Sequence, residues 1–266
     1  MKKLLSLLVA GALLAGCSST TDTEDKTIRI GATQVPHAEI LEDVVKPILE
    51  EEGWDVDITV FTDYIQPNTG VEEGSLDANY YQTLDYMNTQ NEEGDLHLVA
   101  VAGIHLEPMS CYSSKYTSVD EIPDGAKISI PNDASNGSRA LKLLAANGLI
   151  TLKEKDGLYT VLDIAENPHN YEIVELEAAQ LPRSLDDVDA SVINVNYALQ
   201  AELNPVDALF TEDATSEESA DYVNYLVVKE GNEETEKTKA LIEAMTSEEV
   251  RSYIEKTYGG SVLAAF

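Results

Sequence analysis

The chain has 266 residues, of which 49 are Asp or Glu and 17 are Lys or Arg, and its formal net charge is −32. Nucleic-acid binding needs clustered Lys and Arg that neutralise phosphates, so this charge excludes that class of function. A hydrophobic content of 43% is too high for a disordered chain and too low for a protein with several membrane spans. The length suits two lobes of about 100–130 residues, each with its own core.

The N-terminal residues predict a lipoprotein signal peptide. A basic start precedes an apolar run over 4–15, which is too short to span a bilayer. The run ends in Ala15-Gly16-Cys17, which resembles the bacterial lipobox. We therefore predict a signal peptide over 1–16, a lipidated Cys17 and a tether over 17–26, which together place the protein on the extracytoplasmic face of the cell membrane. The alternative is an ordinary secretory signal followed by an incidental cysteine.

The first half of the chain predicts strands that alternate with helices. Alternating and β-branched runs indicate strands over 26–33, 54–61, 78–82, 96–103 and 106–112. Apolar residues at helical spacing indicate helices over 36–52 and 68–76. Because proline lacks an N–H and clashes with the preceding turn, Pro47 is expected to kink or break the first helix.

The second half continues the alternation. Strands are predicted over 127–130, 171–176, 190–194 and 222–229, with a helix over 138–146. Two terminal helices follow, and the last begins at the capping-box pattern 246–249 and ends at 259–260. The alternation predicts the α/β class, with mostly parallel sheets flanked by helices.

Sequence signatures of catalysis are missing. The chain has no G-x-S-x-G, P-loop, H-E-x-x-H or G-x-G-x-x-G motif, and only Cys111 accompanies Cys17, so no C-x-x-C pair exists. The four histidines lie 60, 8 and 64 residues apart and offer no short ligand pair. We therefore expect no enzyme, no metal and no cofactor. A tethered, two-lobed α/β chain is typical of a solute receptor that binds its ligand in the cleft between lobes.

Several motifs sharpen this expectation. They are FTDYIQPN over 61–68, Glu107-Pro108-Met109, IPNDASNGSR over 130–139, the run ELEAAQLPRSLDD over 175–187 continuing through ASVIN, and Tyr222-Val223-Asn224. Together they resemble the NlpA lipoprotein family, the methionine-binding lipoproteins of ABC importers, over residues 27–266.

The resemblance implies a type II periplasmic-binding-protein-like fold, with lobe 1 formed by 27–110 and 223–266 and lobe 2 by 111–222. It also implies a monomer that binds methionine, in the L form, and delivers it to an ABC permease and its ATPase. A related amino acid or short peptide remains an alternative ligand. A surface adhesin or immunomodulatory lipoprotein, or an enzyme of unknown type, remains an alternative function.

Polar residues of the motifs suit a zwitterionic ligand. Arg139 lies at the start of the predicted helix, where the helix dipole favours an anion, and its fork can hold a carboxylate with two hydrogen bonds. The alternative for a single Arg is a surface salt bridge. By resemblance, Arg139 is the carboxylate-binding Arg, Asn136 is its neighbour, and Asn194 and Asn224 are the two binding Asn. For an Asn at a strand end, the alternative role is turn formation.

Aromatic residues are expected to hold the ligand side chain. Tyr64, Tyr81 and Tyr86 match the family's aromatic positions, and a polarizable thioether packs favourably against rings. The alternative for these tyrosines is ordinary packing. The family pattern has a His where this chain has Thr83, and a Pro where it has Asp85. These departures bear on the side-chain pocket and leave the zwitterion-binding residues unchanged.

Overall fold

The computed structural model describes residues 25–266, except for the side chains of 217 and 218. The predicted signal peptide, the lipidated Cys17 and most of the tether lie outside the described residues. In the described part of the chain, no helix combines the length and the apolar character needed to cross a membrane.

Thirteen strands and eight α-helices are described, with short 3-10 and π-helical turns between them. The strands are β1 Thr27–Thr33, β2 Asp55–Phe61, β3 Ala78–Thr83, β4 Leu98–Leu106, β5 Ser110–Tyr112, β6 Lys127–Pro131, β7 Thr151–Leu152, β8 Ile164–Glu166, β9 Glu172–Leu176, β10 Ala190–Ile193, β11 Phe210–Thr211, β12 Val223–Lys229 and β13 Leu263–Ala264. The helices are α1 Lys46–Glu51, α2 Gln66–Glu72, α3 Leu84–Gly94, α4 Ala134–Ala146, α5 Leu181–Ser184, α6 Val195–Gln200, α7 Glu236–Met245 and α8 Glu248–Tyr258.

The first sheet has the strand order β13-β4-β12-β3-β1-β2. β1 runs parallel to β2 and β3, whereas β12 is antiparallel to β3 and β4, and β13 is antiparallel to β4. The expectation of a mostly parallel sheet is therefore wrong for the half formed by β4, β12 and β13. Helical crossovers join β1, β2 and β3 and keep them parallel, whereas β12 returns from the second sheet and enters without such a crossover.

The second sheet has the order β11-β5-β10-β6-β9 and is also mixed. β6 is parallel to β9 and β10, whereas β5 pairs antiparallel with both β10 and β11. β7 and β8 form a separate small antiparallel pair. The predicted mostly parallel arrangement again holds only where helices link the strands.

Each sheet has its own hydrophobic core. Ile28, Ile30, Tyr80 and Leu226 are fully buried at the first sheet, and their cluster includes apolar residues of α7 and α8. A second cluster packs the apolar face of α4 against the second sheet. The lobe boundaries near 111 and 222 stay a prediction.

Helix ends follow the local signals of the sequence. α8 begins after Ser247, whose side chain accepts from the Val250 N–H, and it ends at Gly259, which has a left-handed φ of 55°. The predicted start and end of this helix are therefore confirmed, but the N-cap is Ser247, one residue after the Thr246 of the predicted capping box. The predicted helix over 36–52 is a helical segment of changing type, in which a π-helical turn precedes α1, and Pro47 lies in the first turn of α1. A missing N–H is harmless at that position.

Candidate functional site

A cavity lies where elements of the two sheets meet. Strand β3 and helix α3 line it from the first sheet, and α4 and the segment after β10 line it from the second. The cavity brings together all eight residues that the sequence predicts to bind a ligand. Its lining residues are Tyr64, Tyr81, Gln82, Thr83, Tyr86, Glu107, Met109, Asn136, Arg139, Asn194, Val195, Asn196 and Asn224.

Three tyrosines form one wall of the cavity. The ring centroid of Tyr64 lies 5.6 Å from those of both Tyr81 and Tyr86, and 4.9 Å from that of Tyr197. The hydroxyls of Tyr81 and Tyr86 donate to the Tyr64 carbonyl at 2.7 and 3.2 Å, and the Tyr64 hydroxyl donates to Asn196 Oδ1 at 2.6 Å. Burial raises the pKa of the Tyr64 and Tyr81 hydroxyls, so both stay neutral. With their hydroxyls bonded, the rings offer polarizable surface to a ligand.

Thr83 has a structural role at the rim of this wall. It is the N-cap of α3, and its hydroxyl accepts from the Tyr86 N–H at 3.4 Å. Thr is a favourable N-cap residue, because its oxygen satisfies an N–H that has no partner within the helix. The departure from the family's His therefore keeps a residue suited to starting α3 and positioning Tyr86.

Arg139 lies on the opposite wall, in a setting that the sequence predicted only in part. α4 begins at Ala134 after the N-cap Asp133, so Arg139 lies in the second turn and not at the helix start. The expectation that the helix N-terminus assists Arg139 is therefore wrong. Asp133 starts the helix early because its carboxylate accepts from the Asn136 N–H at 2.8 Å.

The Arg139 guanidinium is held by two bonds to Glu212. Its Nε and Nη2 donate to the two carboxylate oxygens of Glu212 at 2.8 and 2.6 Å, and Nη2 also donates to the Glu107 carbonyl at 2.7 Å. Arg139 also stacks on the Tyr222 ring, 4.0 Å from its centroid. The side chain is only 6% exposed, so the alternative of a surface salt bridge is wrong, and its partner Glu212 is partly buried. The guanidinium is thereby fixed in the cavity wall.

Two asparagines form a hydrogen-bond chain that starts at Asp133. Asn136 Nδ2 donates to both Asp133 oxygens at 3.0 and 3.2 Å, and Asn194 Nδ2 donates to Asn136 Oδ1 at 2.8 Å. Because an ionised carboxylate only accepts, this chain orients both amides. Asn194 Oδ1 is the end of the chain, and this buried oxygen has no hydrogen-bond partner among the described residues. A buried acceptor without a partner is costly, so Asn194 Oδ1 is suited to a ligand donor.

Sequence reasoning missed a buried cluster behind the cavity. His37 and His105 Nε2 lie 3.2 and 2.7 Å from Glu107 Oε1, although 68 residues separate the two histidines. Burial lowers the pKa of His37 to about 4 and that of His105 to about 3, so both rings are neutral at pH 7. The spacing of the histidines in the sequence shows no short ligand pair, and the fold nevertheless brings these two together. His37 also reaches Asn224 Oδ1 at 3.3 Å.

The three groups of this cluster each offer one donor atom within 4.8 Å of the others, a set that can hold a divalent metal. His105 Nε2 is hydrogen-bonded to Glu107 Oε1 and His37 Nε2 to Asn224 Oδ1, which accounts for the cluster without an ion.

Five lining residues were absent from the predicted set: Gln82, Glu107, Met109, Val195 and Asn196. The sequence offered one signal for them, their position along the chain. Each is within two residues of another lining residue or lies in a motif shared with the family.

Comparison with known proteins shows which family the chain belongs to. A family model described as NlpA lipoprotein matches residues 28–266. The chain belongs to the NlpA lipoprotein family. The D-methionine-binding lipoprotein MetQ of Escherichia coli K12 is 38% identical over 260 residues, which cover 96% of this chain and 94% of the relative. Family membership confirms the expectation of a binding protein and not an enzyme.

Solved structures of relatives share the whole fold of this NlpA lipoprotein family member. A lipoprotein from Ruminococcus gnavus is 49% identical, covers 91% of this chain and 100% of its own, and has a TM-score of 0.88. A nutrient-binding protein from Burkholderia cenocepacia, solved with bound methionine, is 41% identical, covers 90% and 100%, and has a TM-score of 0.85. The expected two-lobed α/β fold is confirmed by this likeness.

Proposed function

We propose that this protein is an extracytoplasmic solute-binding lipoprotein that captures methionine and delivers it to an ABC importer. The observation that carries the proposal is the cavity itself. In it, a fixed guanidinium and a buried acceptor that has no hydrogen-bond partner among residues 25–266 as described face a wall of tyrosines. An amino acid needs these three features, because its carboxylate, ammonium and side chain each require a different partner. The relatives named above, MetQ and the methionine-bound protein, support methionine as the ligand.

Each ligand group has a proposed partner. The carboxylate binds Arg139 and the amide N–H groups of Asn224, because the Asn224 oxygen is already engaged with His37. The ammonium donates to Asn194 Oδ1, which Asn136 holds in place. The thioether packs against Tyr64, Tyr81 and Tyr86, where contact between sulfur and aromatic rings is favourable. Thr83 closes the rim of this pocket.

Anchoring and transport complete the proposal. Lipidated Cys17 and the tether over 17–26 keep the protein, as a monomer, at the membrane surface. Lobe 1 (27–110 and 223–266) and lobe 2 (111–222) close on L-methionine, and the closed form docks on a permease with its ATPase. A Cys17→Ser variant is expected to lose acylation and to leave the membrane fraction, as measured by mass spectrometry and cell fractionation. Retention of the variant in the membrane fraction would contradict the anchor.

The ligand is tested by thermal shift with the twenty amino acids in both L and D forms. The protein is first unfolded, dialysed and refolded, and native mass spectrometry checks that no ligand remains bound. A ligand at 100 times its Kd adds about 2.7 kcal/mol to the free energy of unfolding. We expect L-methionine to give the largest shift. A larger shift with another amino acid replaces methionine as the ligand, and no shift with any of them contradicts the receptor function.

A further inference from the structure

Glu107 is a buried carboxylate in the wall of the ligand cavity, and the proposed function gives it no role. It follows β4 and lies in the short segment through which the chain passes from the first sheet to β5 of the second. The residue is 5% exposed. Acidic side chains are rarely buried without a partner, because removing their charge from water is costly.

Two donors bond to the Glu107 carboxylate. The Asn196 N–H donates to Oε2 at 2.9 Å, and His105 Nε2 lies 2.7 Å from Oε1. His37 Nε2 lies 3.2 Å from the same Oε1 and hydrogen-bonds to Asn224 Oδ1 at 3.3 Å. His37 Nδ1 is 2.8 Å from the Thr33 hydroxyl, and His105 Nδ1 contacts the Tyr80 hydroxyl. Both hydroxyls can donate to Nδ1, which leaves each neutral ring with its proton on Nε2, directed at Glu107 from His105 and at Asn224 from His37. Burial raises the pKa of the Glu107 carboxyl, and the bonds from His105 and the Asn196 N–H oppose this rise by stabilising the ionised form.

The charges around the cavity then do not favour a simple anion. Arg139 supplies one positive charge, and Glu212 already neutralises it through two hydrogen bonds. Glu107 adds a further negative charge in the same wall. A ligand with a carboxylate alone would bring another negative charge into this buried, acidic setting, where electrostatic interactions are strong.

We propose that Glu107 is a specificity-determining residue, whose carboxylate is the counter-charge for the ligand's ammonium and excludes carboxylic acids that lack one. An ammonium has three N–H donors, so it can bond to Asn194 Oδ1 and to Glu107 together. The inference rests on the proposed function, because it assigns a further role within the same site.

The test compares two ligands that differ only in the amino group. Calorimetry measures the Kd of L-methionine and of 4-(methylthio)butanoate for the wild-type protein and for Glu107→Gln. Wild type is expected to prefer methionine by at least 100-fold, and Glu107→Gln is expected to reduce this preference at least tenfold. The glutamine is accommodated because its NH₂ can donate to His105 Nε2 once the proton of that ring moves to Nδ1, while its oxygen still accepts from the Asn196 N–H.

Glu212→Gln is the matched control, since it removes an equal charge on the other side of Arg139. It is expected to change both dissociation constants by similar factors, so that the preference stays within threefold of wild type. A similar fall in both affinities in Glu107→Gln would show a purely structural role and overturn the inference.

The wild-type protein provides a test that does not depend on folding of the variant. Affinities for the two ligands within threefold of each other would overturn the role of Glu107 directly. Failure of wild type to bind methionine would instead contradict the proposed function. In that case the ligand identified by the amino-acid panel and its analogue without the amino group replace the pair, and the same two outcomes decide the role of Glu107.

Discussion

The two walls of the cavity are built on different principles. The wall from the second sheet consists of polar groups, and Asp133, Asn136 and Glu212 hold Asn194 and Arg139 in defined orientations. The wall from the first sheet consists mainly of tyrosine rings, whose hydroxyls bond to the Tyr64 carbonyl or to Asn196, and it adds Asn224 of β12. The polar wall thus suits the groups that all amino acids share, and the aromatic wall suits the side chain that distinguishes them. We therefore expect substitutions in the polar wall to have larger effects.

The largest expected effect is at Arg139. Arg139→Ala removes the only cation among the lining residues and is expected to weaken methionine binding more than 100-fold, as measured by calorimetry. It also removes the ion-pair partner of the partly buried Glu212, which keeps only its bond from the Met109 N–H, and this is expected to lower the free energy of unfolding by about 1.5–3 kcal/mol. Arg183→Ala is the control, because Arg183 is exposed and outside the cavity. A methionine affinity within tenfold of wild type would show that Arg139 does not bind the ligand carboxylate.

The next effect concerns the histidines behind the cavity and is seen as a pH dependence of stability. The pKa of His37 falls from its ordinary 6.5 to about 4 because burial disfavours the charged ring. Between these values the unfolded chain binds a proton that the folded chain does not, so the free energy of unfolding falls as the pH falls. At pH 4 the loss is about 3 kcal/mol.

Urea unfolding of wild type and of His37→Gln at pH 7, 6 and 5 measures this effect. Subtracting the two curves removes the contributions of the many carboxylates that both proteins share. The wild-type curve is expected to be the steeper one below pH 6.5. Parallel curves would mean that His37 titrates normally in the folded protein.

Asn194→Ala is expected to weaken methionine binding about tenfold, because a hydrogen bond to a charged group is lost. The ligand-free protein is expected to lose less stability than a buried Asn usually costs, since Asn194 Oδ1 has no partner among the described residues. Calorimetry and urea unfolding measure the two quantities. Asn147→Ala, outside the cavity, provides the comparison for an Asn that bonds within its own helix end. Unchanged affinity in Asn194→Ala would assign the ammonium to another acceptor.

The smallest effect is expected in the aromatic wall. Tyr86→Phe removes a hydroxyl that donates to the Tyr64 carbonyl and keeps the ring, so methionine affinity is expected to change less than threefold. Tyr86→Ala removes the ring and is expected to cost about tenfold, since contacts between sulfur and aromatic rings and the burial of the side chain are lost. Equal losses in both variants would show that the hydroxyl, and not the ring, contributes to binding.

Local signals of the sequence were sufficient for most strands and for the chemistry of the site. Strands β1, β2 and β3 were predicted within two residues of their ends, because β-branched runs and turn residues mark them. The start of α4 was placed four residues late, because the sequence Asn-Asp-Ala-Ser-Asn-Gly contains several candidate caps and only the fold selects Asp133. Strand direction was wrong for β4 and β12, since direction depends on how the chain connects the two sheets.

The sequence by itself determined which residues are candidates for binding a ligand. They are Arg139, three asparagines and three tyrosines, together with Thr83, which departs from the family pattern. Only the tertiary structure decided their partners. Glu212 reaches Arg139 across 73 residues, and Glu107 meets His37 and Asn196 across 70 and 89. Such pairs leave no periodic trace in the sequence, because their geometry arises where strands and loops of the two sheets converge. Composition alone shows that positive charge is scarce. Only the folded protein places Glu212 against Arg139 and Glu107 in the same cavity.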